Sequence, residues 1–153
     1  MKIWTSLKLI VVLCIFIACK KKEVKQYSYW KIDGKEYSSN NVWVNGGERG
    51  DGRRNLVSGG DESFSIGFNT GISSLPDQGV FLLVGGIPTQ NATNERVGFL
   101  VRHAGKGYFP SAHERKYLQA ERVNGKVRYT MPETWFVNTS SDSILVSGAF
   151  NEP

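Results

Sequence analysis

The sequence predicts an all-β domain over residues 27–153, an antiparallel sandwich of eight to ten strands with a small barrel as the alternative. Three observations carry that prediction. From Tyr27 onward apolar residues recur mostly at a spacing of two. Strand formers come in short runs divided by turn clusters, at intervals that suit a sandwich or barrel. No internal repeat breaks the pattern. The chain has 153 residues, enough for one domain, which at this size buries roughly two-thirds of its unfolded surface.

The elements follow in order. Tyr27-Ser-Tyr-Trp-Lys-Ile32 runs into Asp33-Gly34, a hairpin dipeptide because both central positions tolerate positive φ. Lys35 to Ser38, Asn41-Val-Trp-Val-Asn45 and Glu62-Ser-Phe-Ser-Ile-Gly-Phe68 come next, then Val80-Phe-Leu-Leu-Val84, which is apolar on both faces and reads as a central strand. Glu95 to His103 continues the series. Asn124-Gly125 is a second hairpin turn, followed by Lys126 to Thr130, Thr134 to Asn138 and Ser143 to Ser147. One segment opposes the scheme. Ser111-Ala-His-Glu114 has the form of a capping box, and a short helix within 111–123 competes with a strand there. Its apolar stripe is poor, so the strand is favoured.

Charge separates the ends of the chain. There are 19 Lys and Arg against 14 Asp and Glu, a formal charge of +5. Lys2, Lys8, Lys20, Lys21, Lys22 and Lys25 against Glu23 leave the first 26 residues at +5, so residues 27–153 are formally neutral. A nucleic-acid binder needs a net basic footprint to displace counterions from phosphates, and no nucleic-acid partner is expected.

Lys2 and Lys8 precede an apolar run from Leu9 to Ala18, the pattern of a secretory signal over residues 1–18. The run is about half the roughly 20 residues that a spanning helix needs. Its end, Phe16-Ile17-Ala18-Cys19, resembles the lipobox of bacterial lipoproteins. The resemblance implies cleavage before Cys19, which then carries acyl chains such as palmitate on its sulfur and its α-amine. Residues 19–26 become the lipidated Cys19 and a charged tether. Lys20, where retained lipoproteins have aspartate, implies the outer membrane, with the periplasmic or surface-facing side left open. Cys14 falls in the signal and Cys19 takes lipid, so the domain has no thiol for disulfides, nucleophiles or metals.

Trp30-x-x-Asp33-Gly34-Lys35-x-Tyr37, Gly125-Lys-Val-x-Tyr-Thr and Leu145-Val-Ser-Gly-x-Phe150 are similar to short bacterial outer-membrane lipoproteins of unknown function, small all-β domains behind a lipobox. These motifs are a turn and core strands and bring no catalytic residue. Asp142-Ser143-Ile144 resembles the acceptor tripeptide of a bacterial O-glycosylation system, and it also reads as a turn entering a strand.

No catalytic residue is assigned. His103 and His113 lack metal spacing, and a site would need Glu114 or Asp77 as a third ligand, so no metal or cofactor is expected. Ser58-Gly59-Gly60-Asp61 has suggestive residue types without the strand–turn–helix setting of a nucleophile elbow. The segment from Asn45 to Asn55 reads as a long glycine-rich connection, neither a phosphate loop nor a calcium loop. In a simple meander it shares one end of the sandwich with the loop from Gly85 to Asn94. Asp51, Arg53 and Arg54 would then lie near Thr89, Gln90, Asn91 and Asn94, a set of forks, amides and hydroxyls suited to a polar ligand such as a glycan. Trp30, Trp43 and Trp135 alternate with apolar neighbours and are expected in the core. The functional expectation is a lipid-anchored, non-catalytic module that binds a glycan or an envelope protein. A small surface hydrolase and an accessory subunit of a larger envelope complex are the alternatives.

Overall fold

The computed structural model describes residues 27–46, 52–69, 71, 74–86 and 95–153. The signal, the tether and Cys19 lie outside the described residues. Within them are eleven strands and no helix: β1 (Ser28–Ile32), β2 (Lys35–Ser39), β3 (Val42–Asn45), β4 (Arg53–Ser58), β5 (Ser63–Asn69), β6 (Gly79–Gly85), β7 (Arg96–His103), β8 (Lys106–Pro110), β9 (Tyr117–Val123), β10 (Lys126–Val137) and β11 (Ser143–Asn151). The all-β, sandwich-like fold is as the sequence predicts.

The order in space is β2-β1-β11-β10-β9-β6-β7-β5-β4-β3. The sheet folds over so that the inner face of β1, β10 and β11 meets that of β5 and β7. Edge-to-face ring pairs mark the seam: Trp30 on Phe64 at 5.4 Å, Phe64 on Phe150 at 4.7 Å, Phe99 on Phe150 at 5.0 Å and on Phe136 at 5.5 Å. Such geometry suits ring quadrupoles and adds about 1 kcal/mol per pair beyond the area buried. Strand β8 bonds β7 along Val101–His103 and β10 at Phe136 and Val137, tying the layers into a partial ring.

Both expected hairpin dipeptides form, with Asp33 and Gly34 at φ of +48° and +81° and Asn124 and Gly125 at +52° and +82°. Several expectations need correction. The strands do not run as a simple meander: β6 lies between β9 and β7 and pairs with β7 in parallel, so the sheet is mixed. There are eleven strands because β4 occupies Arg53–Ser58, which cuts the connection that begins at Asn45, and because β8 lies between the histidines. The two runs from Lys126 and Thr134 are one strand, β10.

The helix competing over 111–123 is absent. The Ser111 amide donates to the Trp135 carbonyl at 2.8 Å, and the Glu114 carboxylate accepts from the Trp135 amide at 3.2 Å. The capping box is therefore not closed. Leu118 and Ala120 face the core at the strand period instead.

Two tryptophans are outside the core. Trp30 is buried, but Trp43 and Trp135 are 40% and 44% exposed. In β3 the smaller Val42 takes the inner position, so Trp43 must point out. In β10 a bulge between Met131 and Thr134 shifts the register by one. Met131, Thr134 and Phe136 are buried, and Trp135, four residues beyond Met131, points out where strict alternation would turn it in.

Candidate functional site

The described residues that converge on one polar concavity come from two turns. The β4–β5 connection supplies Gly60, Asp61 and Glu62, and the β7–β8 hairpin supplies Arg102, Ala104 and Gly105. Together they line a cavity of about 480 Å³. Antiparallel pairing of Ser63 with Arg102 sets these turns side by side. Glu62 then joins them: one carboxylate oxygen lies 2.6 Å from His103 Nδ1, and the other accepts the Ala104 amide at 3.3 Å. Both partner side chains are about three-quarters buried. Behind His103, the Tyr37 ring meets the imidazole edge to face at 6.1 Å and stacks on Trp30 at 6.2 Å, so the wall of the cavity is fastened to the core.

The Glu62 carboxylate is engaged, whereas the side chains of Asp61 and Arg102 are exposed and make no hydrogen bond or ion pair with any described residue. Strand alternation places Arg102 on the outer face, since Val101 beside it is fully buried. Trp43 belongs to the same outer face, across β4 and β5. Its indole lies over Gly59, where an added Cβ would meet ring carbons at 3.4 and 3.5 Å and Asn41 Nδ2 at 2.8 Å. Gly59 thus seats the ring one residue before the cavity begins at Gly60. A carboxylate and a guanidinium line the hollow, and a half-exposed indole stands on Gly59, next in the chain to its first lining residue.

A second depression of about 200 Å³, lined by Ser65, Gly67, Gly86, Gly98, Leu100 and Phe109 among others, has no ionisable group in its lining. It has the chemistry to hold something apolar and small, but nothing to orient it.

Of the site residues expected from sequence, Asp51, Gln90 and Asn91 lie outside the described residues, as do Thr89 and Asn94. Arg53 and Arg54 begin β4 and are half-buried. Being consecutive in a strand they face opposite ways: Arg54 pairs with buried Phe68 on the inner face, and Arg53 pairs with Asn69 on the outer. The structure does not bring them to one face. The registers do put Arg53 and Arg96 at the same end of the sheet, because Arg53 opposes Asn69 and Val97 opposes Phe68.

The proposed third metal ligands are taken elsewhere: Asp77 pairs with Arg122 at 2.9 Å and Glu114 with the Trp135 amide. Arg122, by its hydrogen bond, holds the Asp77 carboxyl below its ordinary value. His113 stands in the turn after β8, its amide on Ser111 Oγ. Among the described residues no three His, Cys, Asp or Glu come together as a metal site would require.

Sequence alone does not assemble Asp61, Glu62, Arg102 and Trp43 into one site: Asp61 enters only through the Ser58-Gly59-Gly60-Asp61 stretch, and Trp43 is expected in the core. A signal was present in the Gly59-Gly60-Asp61-Glu62 run and in Arg102-His103 before a Gly-containing turn. What pairs those two stretches is the β5–β7 ladder, a contact across about forty residues. Comparisons with family models, with curated proteins and with solved structures give no match for this chain.

Proposed function

We propose that the chain is a lipid-anchored envelope protein whose β domain binds glycan, without catalysis, on the face that carries Trp43 and the hollow lined by Asp61 and Arg102. The anchor reading rests on the lipobox-like Phe16-Ile17-Ala18-Cys19 and the lysines after it. The ligand reading rests on one observation: on the outer face that carries the half-exposed indole of Trp43, a hollow is lined by a carboxylate and a guanidinium that have no side-chain partner among the described residues. A sugar ring offers apolar C–H faces to an indole and hydroxyls to a carboxylate or an arginine fork, so this trio matches both aspects of one ligand. The hollow is half open, which leaves room for the end or a branch of a polymer.

The test is retention of the mature chain, in detergent micelles, on an array of bacterial polysaccharides and cell-wall fragments. Trp43→Ala and Arg102→Ala are each expected to weaken retention about tenfold, the scale of one anchoring contact. Retention by neither the wild type nor any variant, or equal retention by all three, would sink the reading.

One observation favours the hydrolase reading, namely the 2.6 Å contact of His103 with Glu62, which is how a carboxylate orients a catalytic base. The rest of a triad is missing. Among the described residues no hydroxyl bonds the imidazole, and its ring packs on Tyr37. With Glu62 also holding the Ala104 amide, the pair reads as a brace between turns.

A further inference from the structure

We infer that the outer face of β1, β11, β10, β9 and β6 lies on the lipid surface that holds the chain, an inference that rests on the anchor at Cys19 proposed above. Alternation assigns this face directly: with Trp30, Val146, Tyr129, Phe136 and Leu118 inside, Tyr29, Leu145, Trp135, Tyr117 and Val80 point out. Of the eight large apolar side chains most exposed among the described residues, Tyr29, Val80, Tyr117, Trp135 and Val137 are on it.

Three features select lipid as the occupant. The first is reach. Eight residue steps separate Cys19 from Tyr27, which caps the distance between lipid and domain at about 28 Å even when fully extended. The chain enters the fold at β1, whose Tyr29 is on the face in question. The second is ring chemistry, since Trp and Tyr are the side chains that settle at the headgroup level of a bilayer. The third is charge. Along the face and the adjoining edge strand β2, Lys31, Lys126 and Arg128 offset Glu36, Glu121 and Glu133, so no net field repels a headgroup layer. Four lysines between Cys19 and Tyr27 against Glu23 make the approach to it basic, which favours an anionic surface. The arrangement also leaves Trp43 and the cavity on the opposite layer, facing away from the lipid.

The tryptophans provide the test. The lipidated wild-type chain, Trp135→Phe and Trp43→Phe are reconstituted into vesicles of phosphatidylethanolamine and phosphatidylglycerol with brominated acyl chains. Both substitutions are at half-exposed rings and leave the core intact. Brominated lipid is expected to quench the wild type and Trp43→Phe alike, and Trp135→Phe is expected to lose that quenching. A wild type that does not float with the vesicles overturns the anchor reading and this inference together. A wild type that floats, with Trp135→Phe quenched as strongly as Trp43→Phe, overturns the inference alone and leaves the anchor standing. The face would then belong to a protein partner.

Discussion

At the scale of single residues, the backbone marks where the sequence is at odds with its own geometry. The β7–β8 turn repeats the left-handed pair of the two Asx-Gly hairpins, with Ala104 at φ of +50° and Gly105 at +75°. Asp33 and Asn124 tolerate that region because a short polar side chain can bond locally, and alanine has no such recourse. The strain at Ala104 is held by its amide, which donates to Glu62, at the lip of the proposed binding hollow. Ala104→Asn keeps the amide and relieves the conformation, so it should stabilise the domain by about 1 kcal/mol. Urea titration would read this as a higher midpoint with an unchanged slope. A midpoint at or below that of the wild type would mean that the turn is not strained.

At the scale of elements, β10 decides which tryptophan faces which way. Its bulge lets Tyr129 and Met131 on one side, and Thr134 and Phe136 on the other, all reach the core. Thr134 Oγ1 donates to the Pro132 carbonyl at 2.8 Å and closes the irregular loop on itself. Pro132 belongs there, having no amide to give to a ladder. Deleting Glu133 would remove the extra residue and restore strict alternation with Met131, Thr134 and Phe136 still turned in and Trp135 still out. The expected loss is therefore about 1 kcal/mol, well short of the roughly 3 kcal/mol that turning a buried phenylalanine out would cost. A loss of about 3 kcal/mol with Trp135 emission shifted to the blue would show that the far half of the strand has flipped and that the bulge does not set its faces.

This bulge also explains what was legible beforehand. Asp33-Gly34, Asn124-Gly125 and the period-two runs are local signals, and the hairpins and most strands followed from them. Trp135 was placed in the core because a bulge is a one-residue event that periodicity averages away. The parallel β6–β7 pair and the meeting of Asp61 with Arg102 depend on long-range order, which no local pattern encodes. Arg53 and Arg54 do not enter one site together for a simpler reason: their segment reads as a loop in the sequence, and the strand it forms turns neighbours to opposite faces.

At the scale of the whole molecule, the two ends of the pH range test different fastenings. Tyr129 is buried, its hydroxyl donates to the Pro76 carbonyl at 2.7 Å, and it secures the approach to β6. Burial, more than the charges of Glu152 and Asp77, pushes its ionisation far above the ordinary 10.0. A group raised in this way contributes stability in full below its unfolded value, and that contribution is lost as pH climbs past 10.0. The acid side is different. Asp142 is held below its ordinary 3.8, first by its hydrogen bond from Lys106 and then by Asn138, and Arg122 does the same for Asp77. Their contribution is present above 3.8 and fades as pH falls through the lowered native values. Both pairs are solvent-exposed and screened by salt, while the Tyr129 effect comes from desolvation and is not. Stability measured by urea at a series of pH values should therefore fall at both ends, and salt should flatten the acid limb far more than the alkaline one. Lys106, raised above its ordinary 10.5 by the same Asp142 contact, adds a salt-sensitive part to the alkaline side. Tyr129→Phe should cost about 1 kcal/mol at neutral pH for the lost hydrogen bond and remove the salt-insensitive part of the alkaline limb. If the alkaline limb of Tyr129→Phe matched that of the wild type at high salt, burial of this phenol would not be what limits the fold there.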